Sequence, residues 1–493
     1  MSTQGLLLIL AEEPFMRSFH CRTAARPRGR MILAALSTAV LPLVWMCPAV
    51  GQFVGSVSLR PFVAGLIPVI GPRGAVGGVS IDAQGAVTRS NVEVLGQLRD
   101  ARLRALNAAE TRLQAASPLR KISLRCLQAE IEQRWRKELP VTEDLQNLAG
   151  LTRVQFVFLY PEQGDIVLAG PAEGWKVDQQ GNLVGQKTGQ PIMQLDDLVI
   201  ALRTARAAAT PDGITCSIDP SQEGVARLQR MLTGRGVQIS ETTISHMEQL
   251  LGPQQITLTG VPPGSHFARV LVAADFMMKR LGMNFEAAPI EGLPSYMQML
   301  EESSAAAPRA AIPRFWMAAS YEPLLRDAEG LAWQLKGPGV KTLADDGPMT
   351  SSTGSNFNGR QKGRSLAEKW ADTMTAKYEP LSNALPVFAE LRNCMDLAVI
   401  SALLVKEDLP GKSRCDLSLL LDEKRVQVAD YDVPKTVDSQ ASLVKKGRQW
   451  IVGVSGGVEI NSWSILDRVE VDSKLVNMRM QSTPVPIDRW WWD

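Results

Sequence analysis

Cys394 and His266 are the two side chains whose types suit a nucleophile and its base, with Asn393 and Asp396 beside the thiol as candidates for a third, orienting group. Such chemistry needs a thiolate next to an imidazole, held in place by that third polar group. The spacing argues against it. On a helix Cys394 shares a face with Leu391, Met395, Ala398, Ala402 and Val405, the pattern of a buried thiol packed as a small apolar group. His266 falls at a helix start, where the positive dipole end lowers imidazole basicity and a capping or packing role suffices.

The carboxylates Glu162, Asp165, Glu173 and Asp178 cluster around two hairpin-like turns. A cation site would need several oxygens at set spacing, and turn acids are ordinarily solvated. Glycosidic chemistry needs only two carboxyls about 5 to 9.5 Å apart, for which Glu162, Asp165 and Glu173 are the candidates. Gly453-Val454-Ser455-Gly456-Gly457 fits Gly-x-Ser-x-Gly, but a strand follows it instead of a helix, and the last histidine lies upstream. It reads as a glycine-rich hairpin turn. Gly411-Lys412-Ser413 has Lys406 where a P-loop needs its first glycine, and Gly71, Gly74 and Gly77 have the wrong spacing for a dinucleotide fingerprint. With His246 and His266 alone after residue 51, no His-Glu-x-x-His and no Cys-x-x-Cys, a zinc site is not expected. The expectation is no catalytic residue, no cofactor and no metal.

The chain begins with Arg17, Arg22, Arg26, Arg28 and Arg30, followed by an apolar stretch over residues 31–50. That order predicts a secretory signal region over 1–51, cut after Ala49-Val50-Gly51, and export to the periplasm or beyond. Trp45 and Met46 before Cys47 argue against a lipid anchor, and no transmembrane span is expected after cleavage. The 53 Lys and Arg nearly balance the 51 Asp and Glu, so no nucleic-acid footprint is present. Cys126, Cys216, Cys394 and Cys415 remain outside the signal, and an oxidising compartment favours pairing. Cys394 with Cys415 is the preferred bridge, against a buried free thiol.

Periodicity predicts a mixed α+β chain, with a sheet-containing core, packed helices, then a helical segment and a small C-terminal β hairpin region. Residues 52–120 hold an apolar Gly/Pro-rich segment, a hairpin around Asp82 and a helix opened by Ser90. Residues 121–344 form the α/β core: a helix over 121–137, doubly apolar strands over 154–160 and 165–169, a helix over 195–208, and a strand over 214–218. A strand over 256–260, a helix opened by Ser265 and strands over 315–320 and 331–336 follow. Residues 345–365 read as a linker. Residues 366–493 read as a helical stretch broken near Pro380 and Pro386, an irregular stretch over 408–440 and a hairpin of 449–454 with 457–460. The closing Trp490-Trp491-Trp492 can face a sugar, lipid or partner, but a terminal aromatic cluster more often packs on its own domain.

Four blocks carry a family resemblance: Tyr160-Pro161-Glu162 with residues 165–178; Gly260-Val261-Pro262-Pro263-Gly264-Ser265-His266-Phe267-Ala268-Arg269; residues 390–397; and residues 437–442. The chain resembles the domain-of-unknown-function family 1598 of secreted planctomycete proteins over most of residues 75–465. The resemblance implies export and no assigned activity. The expected function is therefore a non-catalytic binding or interaction protein of the cell envelope, with an envelope protein or glycan as partner. The alternative is an envelope hydrolase using paired carboxylates or the Cys394/His266 pair.

Overall fold

Strands drawn from distant parts of the chain build the larger of two mixed sheets. A computed structural model describes residues 75–493 apart from 83, 91, 106–111, 234–239, 305–307, 309, 346–364, 448 and 484–488. Residues 1–51, expected to be a signal region, and nearly all of residues 345–365, expected to be a linker, lie outside the described residues. From Pro61 onward the chain clusters as one unit. Nine strands run in the order Ala75–Val76, Val79–Ile81, Ala86–Arg89, Thr436–Val437, Gln254–Thr259, Ile214–Asp219, Ser455–Ile460, Arg314–Ser320, Gly339–Asp345. Ser455–Ile460 pairs parallel with Arg314–Ser320 and antiparallel with Ile214–Asp219. Strands from the stretches 52–120, 121–344 and 366–493 thus share this sheet.

Seven strands form the second sheet, in the order Val469–Val471, Leu324–Arg326, Ala332–Gln334, Phe156–Tyr160, Asp165–Ala172, Ser117–Ser123, Trp491–Trp492. Its centre, Phe-Val-Phe-Leu-Tyr, is buried on both faces, as its continuous apolar run requires. One face joins the main core. The other is covered by Leu475 of the helix Lys474–Gln481, which packs with Phe156, Phe158 and Val167.

The helix His266–Gly282 packs on Ile214–Asp219 and Ser455–Ile460, and the helix Pro386–Lys406 packs on it and on the helix Leu195–Thr204. Both long helices are buried nearly all round, and Pro386–Lys406 accordingly lacks a clear amphipathic pattern. Pro386 sits at the first turn of its helix, where its fixed φ and missing N–H cost nothing.

The mixed α+β class is as read. Three local assignments differ. Residues 408–440, read as irregular, hold the helices Leu409–Ser413 and Ser418–Leu421 and the strand Thr436–Val437. Residues 117–123, partly read as helix, are a strand, because hydrogen bonding to Asp165–Ala172 overrides local helical propensity before the helix Leu124–Arg136 begins. The C-terminal hairpin forms one strand earlier than expected, from Val444–Lys446 and Gln449–Ile451, and Ser455–Ile460 leaves it for the large sheet.

Candidate functional site

Ser265 caps the helix His266–Gly282, its Oγ accepting from the Ala268 amide at 3.1 Å, and so places His266 on the first helical residue. The ring meets the first turn of the helix Leu195–Thr204: Nδ1 lies 3.0 and 3.1 Å from the two carboxylate oxygens of Asp197. Nε2 lies 3.3 Å from the Gln194 side-chain nitrogen. With Nδ1 donating to Asp197, the neutral ring accepts at Nε2. Tyr431 faces the ring with centroids 6.1 Å apart, and the Arg269 guanidinium lies 4.6 Å from the Tyr431 centroid. From the helix Pro386–Lys406, Glu390 acts electrostatically on His266, and Cys394, one turn on, feels both Asp197 and Glu390. Asn393 donates Nδ2 to the Pro191 carbonyl at 3.3 Å. Three helices therefore set Asp197 against His266 and bring Glu390 within electrostatic reach of the ring, with Cys394 in the field of both carboxylates.

Burial opposes the imidazolium, but Asp197 and Glu390 outweigh it and His266 is raised above its ordinary value. The expected lowering at a helix start is thus overturned by a carboxylate in direct contact. Burial holds Asp196 up at about 6, helped by Asp197, although the Ala429 amide bonds it at 3.0 Å. Burial also lifts Glu390. The Cys394 thiol is pushed well above its usual range by burial and then by Asp197, Glu390 and Asp396, so it stays protonated. Both side chains are shielded from solvent: His266 and Cys394 are only 5% and 1% exposed.

Farther along the same helix, Lys279 bonds Asp275 at 2.8 Å and the carbonyls of Ile218 and Gly456 at 2.5 and 3.1 Å. Burial lifts Asp275 from 3.8 to about 7 despite Lys279. The folded protein therefore holds protons on Asp275 and Asp196 that the unfolded chain releases from about pH 4 upward, so stability falls as pH rises from about 4 to 7. His266 extends the trend: its contribution is complete below about 6.5 and is lost as pH passes its raised folded value. The midpoint of urea unfolding is expected to drop between pH 5 and pH 8, with Asp275 alone contributing about 2–3 kcal/mol of the loss. Asp275→Asn should flatten the profile. A midpoint that climbs with pH refutes this account.

Three of the four turn carboxylates are engaged in separate sets of hydrogen bonds. Glu162 is exposed. Asp165 accepts from Ser123 Oγ at 2.6 Å and the Arg125 amide at 3.1 Å, securing the start of the helix Leu124–Arg136. Glu173 accepts from the amides of Lys187 and Thr188 and from Thr188 Oγ1. Asp178 accepts from the amides of Gln180 and Asn182 at 2.8 and 2.7 Å. Asp82 bonds the Gln84 and Ala86 amides in the same way, so the two similar turns share a backbone device. Among the described residues no three His, Cys, Asp or Glu groups gather to hold a metal ion.

Ser455 lies in a strand and is fully buried. A Cβ at Gly456 would overlap the Phe315 carbonyl oxygen, and one at Gly457 the Cys216 carbonyl oxygen, so these glycines permit close strand approach. Ser413 closes on the Leu409 carbonyl at 2.7 Å and Lys412 pairs with Glu407, which leaves no phosphate cradle there. Gly71 and Gly74 lie outside the described residues, and Gly77 takes φ +58° in a turn. Cys126, Cys216, Cys394 and Cys415 are all free thiols. The preferred Cys394–Cys415 bridge is not formed: Cys394 packs in the main core among Leu391, Met395 and Ala398, as the helical face implied. Asp396, a candidate third group, instead binds Arg153 and Tyr321.

Asp197, Gln194, Glu390, Asp196 and Tyr431 escaped the sequence reading as partners of His266. The signals present were Asp196-Asp197 in a helical first turn and the i, i+4 spacing of Glu390 and Cys394. Partnership across 69 residues, as between Asp197 and His266, carries no one-dimensional signature.

The fold and cluster define an α+β protein with two mixed sheets around buried helices. Over residues 216–296 the chain matches the family described as Protein of unknown function (DUF1598). That stretch runs from the strand Ile214–Asp219 through the helices Gln222–Leu232 and Glu241–Leu251, the strand Gln254–Thr259 and the helix His266–Gly282 to Tyr296, and includes His266; the blocks at 160–178, 390–397 and 437–442 lie outside it. No curated protein and no solved structure matches the chain. Among the described residues no helix is long and apolar enough to cross a membrane.

Proposed function

We propose that this is a non-catalytic binding protein of the cell envelope, exported through its first 51 residues, with an envelope protein or glycan as partner. The observation that carries the reading is the state of the candidate nucleophile: Cys394 is 1% exposed and its thiol is pushed well above its usual range by burial and then by three carboxylates. The arginine-led apolar leader supports export.

In protein recovered from the native envelope, mass spectrometry is expected to find a chain starting at Gln52. Iodoacetamide should label Cys394 at least about tenfold more slowly than half-buried Cys126. Rapid labelling of Cys394 in the folded protein would overturn the non-catalytic reading, and an uncut leader would overturn secretion through signal cleavage.

A further inference from the structure

The nine-stranded sheet has a second face that the core does not use. Cys216, Val458, Phe315 and Met317 belong to the main core, where the helix His266–Gly282 packs on their strands. Side chains alternate along a strand, so the residues between them form the opposite face. Register places Thr257, Ser217, Gly457, Trp316 and Leu343 in one row across that face. The next row holds Thr259, Thr215, Glu459, Ala318 and Lys341. The strands Gln254–Thr259, Ile214–Asp219, Ser455–Ile460, Arg314–Ser320 and Gly339–Asp345 are consecutive, and at the usual strand spacing the rows cross roughly 19 Å.

None of Trp316, Ala318 and Leu343 belongs to a hydrophobic core cluster among the described residues. Trp316 is half-buried, and Gly457, its register partner, contributes no side chain, so in its row the indole meets no neighbour on that flank until Ser217. Gln255, Thr257 and Thr259 are exposed, and the hydroxyls of Thr215 and Thr259 meet at 2.6 Å. A solvated antiparallel face accounts for the hydroxyl and amide groups. The indole adds a flat apolar seat among them, which hydroxyls alone do not supply.

Charge selects the occupant. Arg314 is the register partner of Asp345, and Lys341 acts on Glu459, so opposite signs face each other within the surface and offer little to a charged ligand. A protein partner calls for a broad apolar centre, whereas here one aromatic stands among hydroxyls. A neutral sugar chain with equatorial substituents presents C–H faces to an indole and hydroxyls along both edges. We propose that this face binds an extended, neutral glycan, with Trp316 stacking on a sugar ring and Thr215, Ser217, Thr257 and Thr259 bonding its hydroxyls. The proposal rests on the envelope-binding reading and chooses the glycan over the protein as partner.

The test titrates the full chain by calorimetry with cellohexaose and N-acetylchitohexaose as neutral probes and with polygalacturonate as an anionic one. At least one neutral probe is expected to bind, and Trp316→Ala and Thr257→Arg should each weaken it at least about tenfold. Thr257 is exposed, so Thr257→Arg is expected to leave urea unfolding unchanged and to act on the face alone. Binding of neither neutral probe, tighter binding of polygalacturonate, or unchanged affinity in either variant overturns the proposal. Co-sedimentation with the native envelope separates it from the reading it rests on. The unsubstituted chain is expected to sediment and both variants to stay in solution. If all three sediment equally, the glycan face is overturned and envelope binding stands. If the unsubstituted chain stays in solution, envelope binding itself is overturned.

Discussion

A chain shortened to end at Arg489 is expected to lose about 5 kcal/mol or more of stability, a large share of the 5–15 kcal/mol typical of folded proteins. Two losses combine. Arg120 loses the Asp493 carboxylate although it is fully buried, and stranding a buried charge costs roughly 3–5 kcal/mol. Trp490 and Trp491, 8% and 9% exposed, leave the core, and truncating a buried Trp costs a similar ~3–5 kcal/mol. The terms overlap, because Trp491 also packs under the guanidinium, so the sum is an upper bound. The sharper measurement is compensation. In the shortened chain Arg120→Met removes the stranded charge at nearly constant volume and should recover part of the loss in urea unfolding. A further loss on making that change would show that Arg120 is satisfied without the tail.

Asp396→Ala should cost about 3–5 kcal/mol, far above the effect of a surface substitution. Asp396 is completely buried on the helix Pro386–Lys406, and its carboxylate takes Arg153 Nε and Nη2 at 2.8 and 2.9 Å and the Tyr321 hydroxyl at 2.7 Å. Burial works against the Arg153 charge, and Asp396 overcomes it and raises the guanidinium. The Tyr321 phenol is pushed well above its ordinary range by burial and then by the same carboxylate. The position explains the size of the effect. Arg153 precedes the strand Phe156–Tyr160 of the smaller sheet, and Tyr321 joins Arg314–Ser320 of the larger sheet to Leu324–Arg326 of the smaller one. One carboxylate therefore ties the central helix to the point where the chain passes between sheets. Arg153→Met in the Asp396→Ala background should restore part of the stability, and a double-mutant cycle with a coupling near zero would refute the pairing.

Much of the local architecture was legible in the sequence. Ser265 as a cap, the apolar Phe-Val-Phe-Leu-Tyr strand and the break at Pro386 each rest on contacts within a few residues, so pattern alone specifies them. The buried face of Cys394 and the inward packing of the terminal tryptophans were also readable, because apolar side chains at helical spacing or clustered at a terminus have few other destinations. Other features required the fold. Residues 117–123 became a strand because Asp165–Ala172 and Trp491–Trp492 offered hydrogen bonds on both sides. Ser455–Ile460 left its neighbouring hairpin because its glycines let it enter between Ile214–Asp219 and Arg314–Ser320, where a side chain would not fit. The His266 cluster was half visible. The sequence determined which residues can hold protons and which helices carry them. Only the tertiary structure decided that Asp197 meets His266, that Glu390 acts on it through space and that Asp396 binds Arg153, because burial and charge act through distance in space rather than along the chain.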